Sequence, residues 1–320
     1  MKESEQPILL YRGETFNPNF YYFSGMDVSN SFLLLEGGAK KLLVSKLEEN
    51  AARAVMKKGI VVLDDFYPYL KKELKAKTVR IDGGRLPARI YERLAKFCRP
   101  KDASADFYAK RMVKTAGEIE KIRRACGMTK KILDSLELSK NMTENDVKKQ
   151  LLMKTIGAGL EPAFEPIVAG GRNASVPHHA CTGRRLGNFV LVDYGVKVEN
   201  YCADLTRCFA IGSAAKELQL YEKLQGIFWK VADGIPDMEK SGEAGKLYEK
   251  LTKSAGLPAP IHSIGHGIGL DVHEFPRFGK KYADRMKGAA FTIEPGAYLR
   301  GYGARFEETV YFDGKKVRIL

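Results

Sequence analysis

A chain of 320 residues, 44% of them hydrophobic, is long enough to bury two cores, and its formal net charge of +14 raises the question of an acidic partner. The lysines and arginines are dispersed, in pairs beginning at Lys40, Lys57, Lys71, Lys130, Lys148, Lys280 and Lys315, so the charge reads as solvated faces and not as a nucleic-acid surface. No apolar run approaches a membrane span, and the start, MKESEQPILL, has too short an apolar stretch for a signal peptide. Five cysteines without a CxxC pair argue against a disulfide framework, so a cytoplasmic protein with no membrane partner is expected.

In chain order, the apolar runs ILLY, SFLLLE, KLLVS, IVVLD and TVRID alternate with helix-like segments at Leu47 to Lys58, Phe66 to Lys77 and Leu86 to Phe97. That alternation predicts an α/β layer structure. The RPKDASAD stretch, Arg99 to Asp106, breaks it with a proline and small polar residues and is expected to be the linker, giving domains at 1–106 and 107–320. Thr115 with Glu118 forms a capping box for a helix through IEKIRRACGMTKKILDSL, and Thr143 with Asp146 opens a second. From Phe164 onward glycine-punctuated β runs dominate, interrupted by helices near Leu218 to Ala232 and Gly245 to Ala255, an α+β pattern.

Chemistry concentrates in this second part, where Asp193, Asp204, His266, Glu294 and Glu307 occur in order. Four carboxylates and an imidazole suit Mn, Co, Fe or Zn held in pairs better than a structural zinc site, where thiolates dominate. VLVDYG and YCADLTRCF read as a hairpin; with its turn centred between Val198 and Glu199, Asp193 and Asp204 face each other directly. Facing like charges destabilise a ladder, and a dication between them reverses the sign. FTIE and RFEETVYF repeat the arrangement around a turn near Arg300 and Gly301, so that Glu294 faces Glu307. The two hairpins hint at a pseudo-repeat, although no residue-level repeat is visible. Cys202 shares the neighbourhood of Asp204, where a buried small hydrophobe is expected rather than a thiolate ligand.

All five histidines (His178, His179, His262, His266, His273) also lie in this part. His262 and His266 are four apart, but Gly265, Gly267 and Gly269 exclude a regular helix there, and with it the HExxH zinc-protease arrangement.

The ordered segments PIVAGGRNASVPHH, LVDYG, YCADLTRCFAIG, HSIGHGIGLDVHEFPR, FTIEPGAY and ARFEET resemble the pita-bread metallopeptidases, in the proline-directed branch that contains prolidase and aminopeptidase P. NFYYFSGM, SFLLLEGG and KKLLVSK resemble the creatinase-type leading domain of that branch. The resemblance implies an α/β creatinase-like domain followed by a pita-bread catalytic domain. It implies Asp193, Asp204, His266, Glu294 and Glu307 as ligands of two divalent ions, with Glu307 and not Glu308 taking the role in ARFEET. It places His178 and His273 on the substrate carbonyl or the proton path, and Glu294 as the base. His262 would line the pocket; Arg277 and Arg305 would hold the substrate carboxylate or position Glu307. The implied activity is hydrolysis of Xaa-Pro bonds by a hydroxide bridging the ions, more in the manner of a dipeptidase than of an aminopeptidase on longer peptides. The implied assembly is a homodimer. A non-catalytic binding module on the same scaffold would have lost ligands, and here all five are present. Asn188, Asn200 and Glu308 depart from the family's usual residues at turns and beside a ligand.

Overall fold

The computed structural model describes residues 6–320; the charged start at 1–5 lies outside them. The chain divides into two compact units, Met1–Arg111 and Met112–Leu320.

The first unit contains β1 (Ile8–Arg12), α1 (Pro18–Ser24), β2 (Ser31–Glu36), β3 (Ala39–Val44), α2 (Glu49–Val55), β4 (Ile60–Val62), α3 (Phe66–Leu74), β5 (Thr78–Ile81), α4 (Ala88–Ala95), β6 (Arg99–Asp102) and α5 (Ser104–Met112). The strands form one sheet in the order β4-β3-β2-β1-β5-β6. Both faces of that sheet are apolar: Leu10, Leu33, Leu42 and Val44 pack with Phe20 and Phe107, while Leu9, Phe32, Leu34 and Leu43 pack with Leu70, Leu74 and Leu94. Burial on two faces explains why the strands read as continuous apolar runs. The expected linker is instead regular structure. Arg99–Asp102 pairs with β5 as a parallel edge strand, and α5 begins at Ser104, where Asp102 Oδ1 accepts from the Ser104 amide at 3.0 Å. An edge strand is where a proline such as Pro100 is tolerated, because its missing N–H costs nothing there. Helix α1 was not expected from periodicity; Asn17 caps it by accepting from the amides of Asn19 and Phe20.

The second unit opens with α6 (Ala116–Asp134) and α7 (Glu144–Gly157), both started by the expected capping boxes, Thr115 with Glu118 and Thr143 with Asp146. The strands that follow are β7 (Glu161–Pro162), β8 (Ile167–Gly170), β9 (Phe189–Tyr194), β10 (Val196–Val198), β11 (Tyr201–Cys202) and β12 (Leu205–Ala210). Helices α8 (Ala215–Gly234) and α9 (Ser241–Ser254) precede β13 (His266–Gly267), β14 (Glu274–Arg277), β15 (Ala290–Ile293), β16 (Gly296–Leu299), β17 (Tyr302–Arg305), β18 (Glu308–Phe312) and β19 (Val317–Ile319). They form a β12-β9-β8 sheet, a β14-β13-β15-β18-β19 sheet and two smaller ribbons, β11-β10-β7 and β16-β17. A core of Leu224, Phe228, Val231 and Tyr248 from α8 and α9 against Phe291, Ile293, Phe306 and Val310 backs the strands.

The first hairpin differs from expectation by one residue at its turn. Val198 pairs with Tyr201, leaving Glu199 (φ 50°) and Asn200 (φ 68°) as the two central residues. Positive φ at both positions matches the twist of the flanking strands, and asparagine tolerates it. Moving the turn centre by one residue moves every partner by two, so Asp193 faces Thr206, and Asp204 lies two residues further toward the turn. A two-residue shift preserves the face, so both carboxylates still point the same way. The second hairpin has the expected register: Ile293 pairs with Glu308 and Gly296 with Arg305, so Glu294 and Glu307 stand opposite one another in the gap between the two ladders.

Candidate active site and metal centre

Ligand atoms of Asp204, His266 and Glu307 lie within 4.8 Å of one another, each contributed by a different strand or strand end. Glu294 joins them, its Oε1 3.5 Å from His266 Nε2, and Asp204 Oδ2 is also 3.5 Å from that nitrogen. Asp193 enters from β9, where Gly195 permits the approach: a β-carbon there would stand 1.8 Å from the Ala203 carbonyl oxygen. A larger residue would therefore push the first hairpin apart beside the two aspartates.

The His266 ring has a defined tautomer. Its Nδ1 lies 3.1 Å from the Gly267 carbonyl, which only accepts, so the proton is on Nδ1 and the Nε2 lone pair faces the carboxylates. His262 is arranged the same way: Nδ1 donates to the Ser263 carbonyl at 2.8 Å, and Nε2 accepts from the Tyr298 hydroxyl at 3.1 Å. Burial lowers the pKa of His262, which keeps that ring neutral.

Arg305 ties the two hairpins together. Its Nη2 donates to Asp193 at 2.6 Å, Nη1 to the Tyr298 hydroxyl at 2.7 Å, and Nε to Thr206 Oγ1 at 3.0 Å. Thr206 in turn donates to Glu307 Oε2 at 2.7 Å, so Arg305 reaches Glu307 through a hydroxyl. Glu308, the neighbour on the opposite face, is held by Arg207 and Lys130. Arg277 is not gathered in: it pairs with Asp284 at 3.1 Å and lies over the rings of Phe275 and Tyr282.

Burial sets the electrostatics. Asp193, Asp204 and Glu307 are 9%, 6% and 2% exposed, and loss of solvent raises the pKa of all three, most strongly for Asp204 and Glu307, where neighbouring carboxylates add to the effect. Arg305 offsets part of this. Asp193 Oδ1 and Asp204 Oδ1 are buried and accept no hydrogen bond among the described residues. Hard oxygen donors with unused lone pairs, beside an imidazole presenting its own, fit divalent cations.

His178 and His273 sit at the exposed rim. His273 stacks near His266, with ring centroids 4.2 Å apart, and its pKa is lowered to about 4 by desolvation and by the adjacent imidazole. The charge of a protonated His178 would add to the lowering of the pKa of both His262 and His273. Cys202 is buried with its thiol pushed up to about 12 by desolvation, as a small core residue would be.

Residue patterns left Thr206, Thr292, Thr309 and Tyr298 unidentified. Thr292 accepts from the His266 amide at 3.1 Å and approaches Glu294 Oε1 at 3.4 Å; Thr309 bonds both the amide and the carbonyl of Asp204. Each threonine lies two residues from a carboxylate of the cluster, on the same strand face. The period of two could therefore have found them, whereas nothing local marks Tyr298.

The description "Metallopeptidase family M24" matches residues 120–313, and "Creatinase/Prolidase N-terminal domain" matches residues 9–113. The chain belongs to metallopeptidase family M24. It is 30% identical to a Xaa-Pro dipeptidase of Pyrococcus furiosus over 91% of this chain and 87% of that protein. The prolidase structure from Pyrococcus horikoshii superposes with a TM-score of 0.91 at 26% identity, covering 99% of this chain and 94% of the other. An X-Pro aminopeptidase structure from Thermotoga maritima gives 0.87 at 25% identity, covering 99% and 95%. The fold is thus the creatinase-type α/β domain followed by the pita-bread catalytic domain, and the enzyme class is metallopeptidase with Xaa-Pro dipeptidases and aminopeptidases as relatives.

Proposed function

We propose that this M24 protein is a dinuclear-metal exopeptidase that hydrolyses Xaa-Pro bonds, with dipeptides preferred over longer peptides. The observation that carries the reading is the convergence of Asp204, His266 and Glu307 within 4.8 Å, with Glu294 and Asp193 beside them. Those five side chains would hold two divalent ions of the Mn, Co, Zn or Fe type. When bound, such ions lower the pKa of a captured water from about 15.7 toward about 7 and neutralise the gathered carboxylates.

The chain's own groups do the rest. Glu294 is half-buried, with one carboxylate oxygen toward His266 and the other toward His262, and it takes the proton of the attacking water and returns it to the leaving nitrogen. His178 and His273 at the rim donate to the scissile carbonyl oxygen as negative charge develops there; with its lowered pKa, His273 does so as a neutral ring. His262, fixed between Ser263 and Tyr298, lines the pocket for the proline. Arg305 positions Glu307 through Thr206. Arg277, exposed and paired with Asp284, would bind a dipeptide carboxylate by exchanging Asp284 for it.

Support for the dipeptidase preference is the likeness to the Pyrococcus proteins. Rates on Ala-Pro against an Ala-Pro-Xaa tripeptide test it: faster turnover of the tripeptide would reassign the chain to the aminopeptidase side. Metal analysis of purified protein should find two ions per chain, and Asp204→Asn should lose them together with at least about 1,000-fold in kcat/KM, which corresponds to about 4 kcal/mol of transition-state stabilisation. An Asp204→Asn protein that is fully active and metal-replete would reject the reading.

A further inference from the structure

Between Gly170, the last residue of β8, and Thr182 the chain carries His178 and His179 and has one 3-10 turn, Gly171–Ser175, as its only regular element. Such a stretch cannot hold a rim histidine in place by itself. What fixes it is Glu144, the first residue of α7, whose side chain is 0% exposed. Its Oε1 accepts from the Gly170 amide at 2.9 Å and from Asn173 Nδ2 at 2.8 Å. Its Oε2 accepts from His179 Nε2 at 2.8 Å, from the Thr182 amide at 2.9 Å and from Thr182 Oγ1 at 2.6 Å.

These five donors span both ends and the middle of the segment, and all of them donate. A carboxylate is the side chain that meets them without presenting a donor of its own. Burial alone would raise the Glu144 pKa, but the bonds from Thr182, His179, Asn173 and Gly170 outweigh it and lower the value, so the group is ionised at neutral pH. The backbone adds to the clamp: the amides of Glu144 and Asn145 donate to the carbonyls of Arg184 and Thr182 at 3.0 and 3.1 Å. On its other side the 3-10 turn lies against β17, where a β-carbon on Gly303 would stand 2.2 Å from the Ala174 carbonyl oxygen.

We propose that Glu144 is a positioning residue for the hydrolytic reaction, fixing through Gly170, Asn173, His179 and Thr182 where the adjacent His178 ring meets the substrate. The inference rests on the role given above to His178. The carboxylate touches neither substrate nor ligands; its effect on turnover passes through the segment it clamps.

A double-mutant cycle tests this on the intact metal-loaded protein with Ala-Pro as substrate: parent, Glu144→Gln, His178→Ala and the double variant, each with its metal content and Tm. Glutamine keeps the shape but turns an amide toward donors, so kcat should fall about 100-fold, the usual cost of misplacing a catalytic group by an ångström, with two ions still bound. The double variant should be no slower than His178→Ala alone, within about twofold, because contacts that act through one group are not additive. Fully additive losses would overturn the inference, as would a Glu144→Gln protein with parental kcat. If Glu144→Gln does not fold, Asn173→Ala and Thr182→Val, each removing one donor, take its place in the same cycle. A parent with no activity on Xaa-Pro peptides would overturn the functional reading and this inference together, whereas an active parent with an additive cycle overturns this inference alone.

Discussion

Asp193 and Arg305 show how single residues are balanced in the site. The guanidinium is 3% exposed and donates to three different acceptors, and the carboxylate it faces is almost equally buried. Removing one partner of a buried pair leaves an uncompensated charge, so Arg305→Ala should cost about 3–5 kcal/mol in urea unfolding of the metal-free protein. Lysine should not restore it, because the fork that reaches Asp193, Tyr298 and Thr206 together needs a planar guanidinium; a stable, active Arg305→Lys protein would contradict this. Glu144 gives the pH counterpart. Its pKa lies below the ordinary 4.5 in the folded state, so its contribution is fully present above that value and is lost as pH falls through the folded pKa. Hydrogen exchange at the Gly170 and Thr182 amides, corrected for intrinsic rates, should therefore show protection that collapses only below the ordinary carboxylate range. Glu144→Gln should show no such step.

At the scale of elements, the two hairpins decide which carboxylates meet. Their alternation and the β-branched residues around Asp193 and Glu307 make strands, and glycine and asparagine mark the turns. The turn type then sets the partners: Glu199 and Asn200 at positive φ place Thr206, and not Asp204, opposite Asp193. The face survived that shift because strand periodicity is two, which is why the shared face of Asp193 and Asp204 was legible although one register was not. Gly195 is the element's weak point. Gly195→Ala would drive a β-carbon to 1.8 Å from the Ala203 carbonyl, and the expected result is a loss of several kcal/mol, about what overpacking costs at its upper end, with reduced metal retention. Calorimetry with metal analysis checks it; a parental Tm would mean that the β9–β12 ladder can spread without harm.

Across the whole molecule, each unit has its own core, and the five residues proposed to hold metal all belong to the second. Chelation should accordingly destabilise the second unit by about 2.7 kcal/mol for each site previously at 100 times its Kd, and lower its unfolding temperature. Differential scanning calorimetry with and without chelator checks it; a transition unmoved by metal removal would refute the linkage. Basic side chains such as Lys41 and Lys280 stand in partly exposed ion pairs with Glu73 and Glu249, as on solvated faces; such pairs leave the net charge of +14 unchanged, because the acids are already counted in it. No helix among the described residues is long and apolar enough to cross a membrane. The expected homodimer remains a proposal, checked by light scattering at working concentration.

The sequence by itself determined the family, the order of the four carboxylates and the histidine proposed to hold metal, both capping boxes, the continuous apolar strands of the leading domain and the register of the second hairpin. These are local or periodic properties, carried by side-chain types at fixed spacing. Only the tertiary structure decided that Thr206 stands opposite Asp193, that Arg305 rather than Arg277 enters the carboxylate cluster, that Arg99–Asp102 is a strand, and that Tyr298 meets His262 and Glu144 meets His179. Each of these depends on groups brought together from distant parts of the chain, as Glu144 is with Thr182 or Arg305 with Asp193. Spacing along a chain carries no record of such meetings, because burial and hydrogen bonding choose among partners that sequence leaves equivalent.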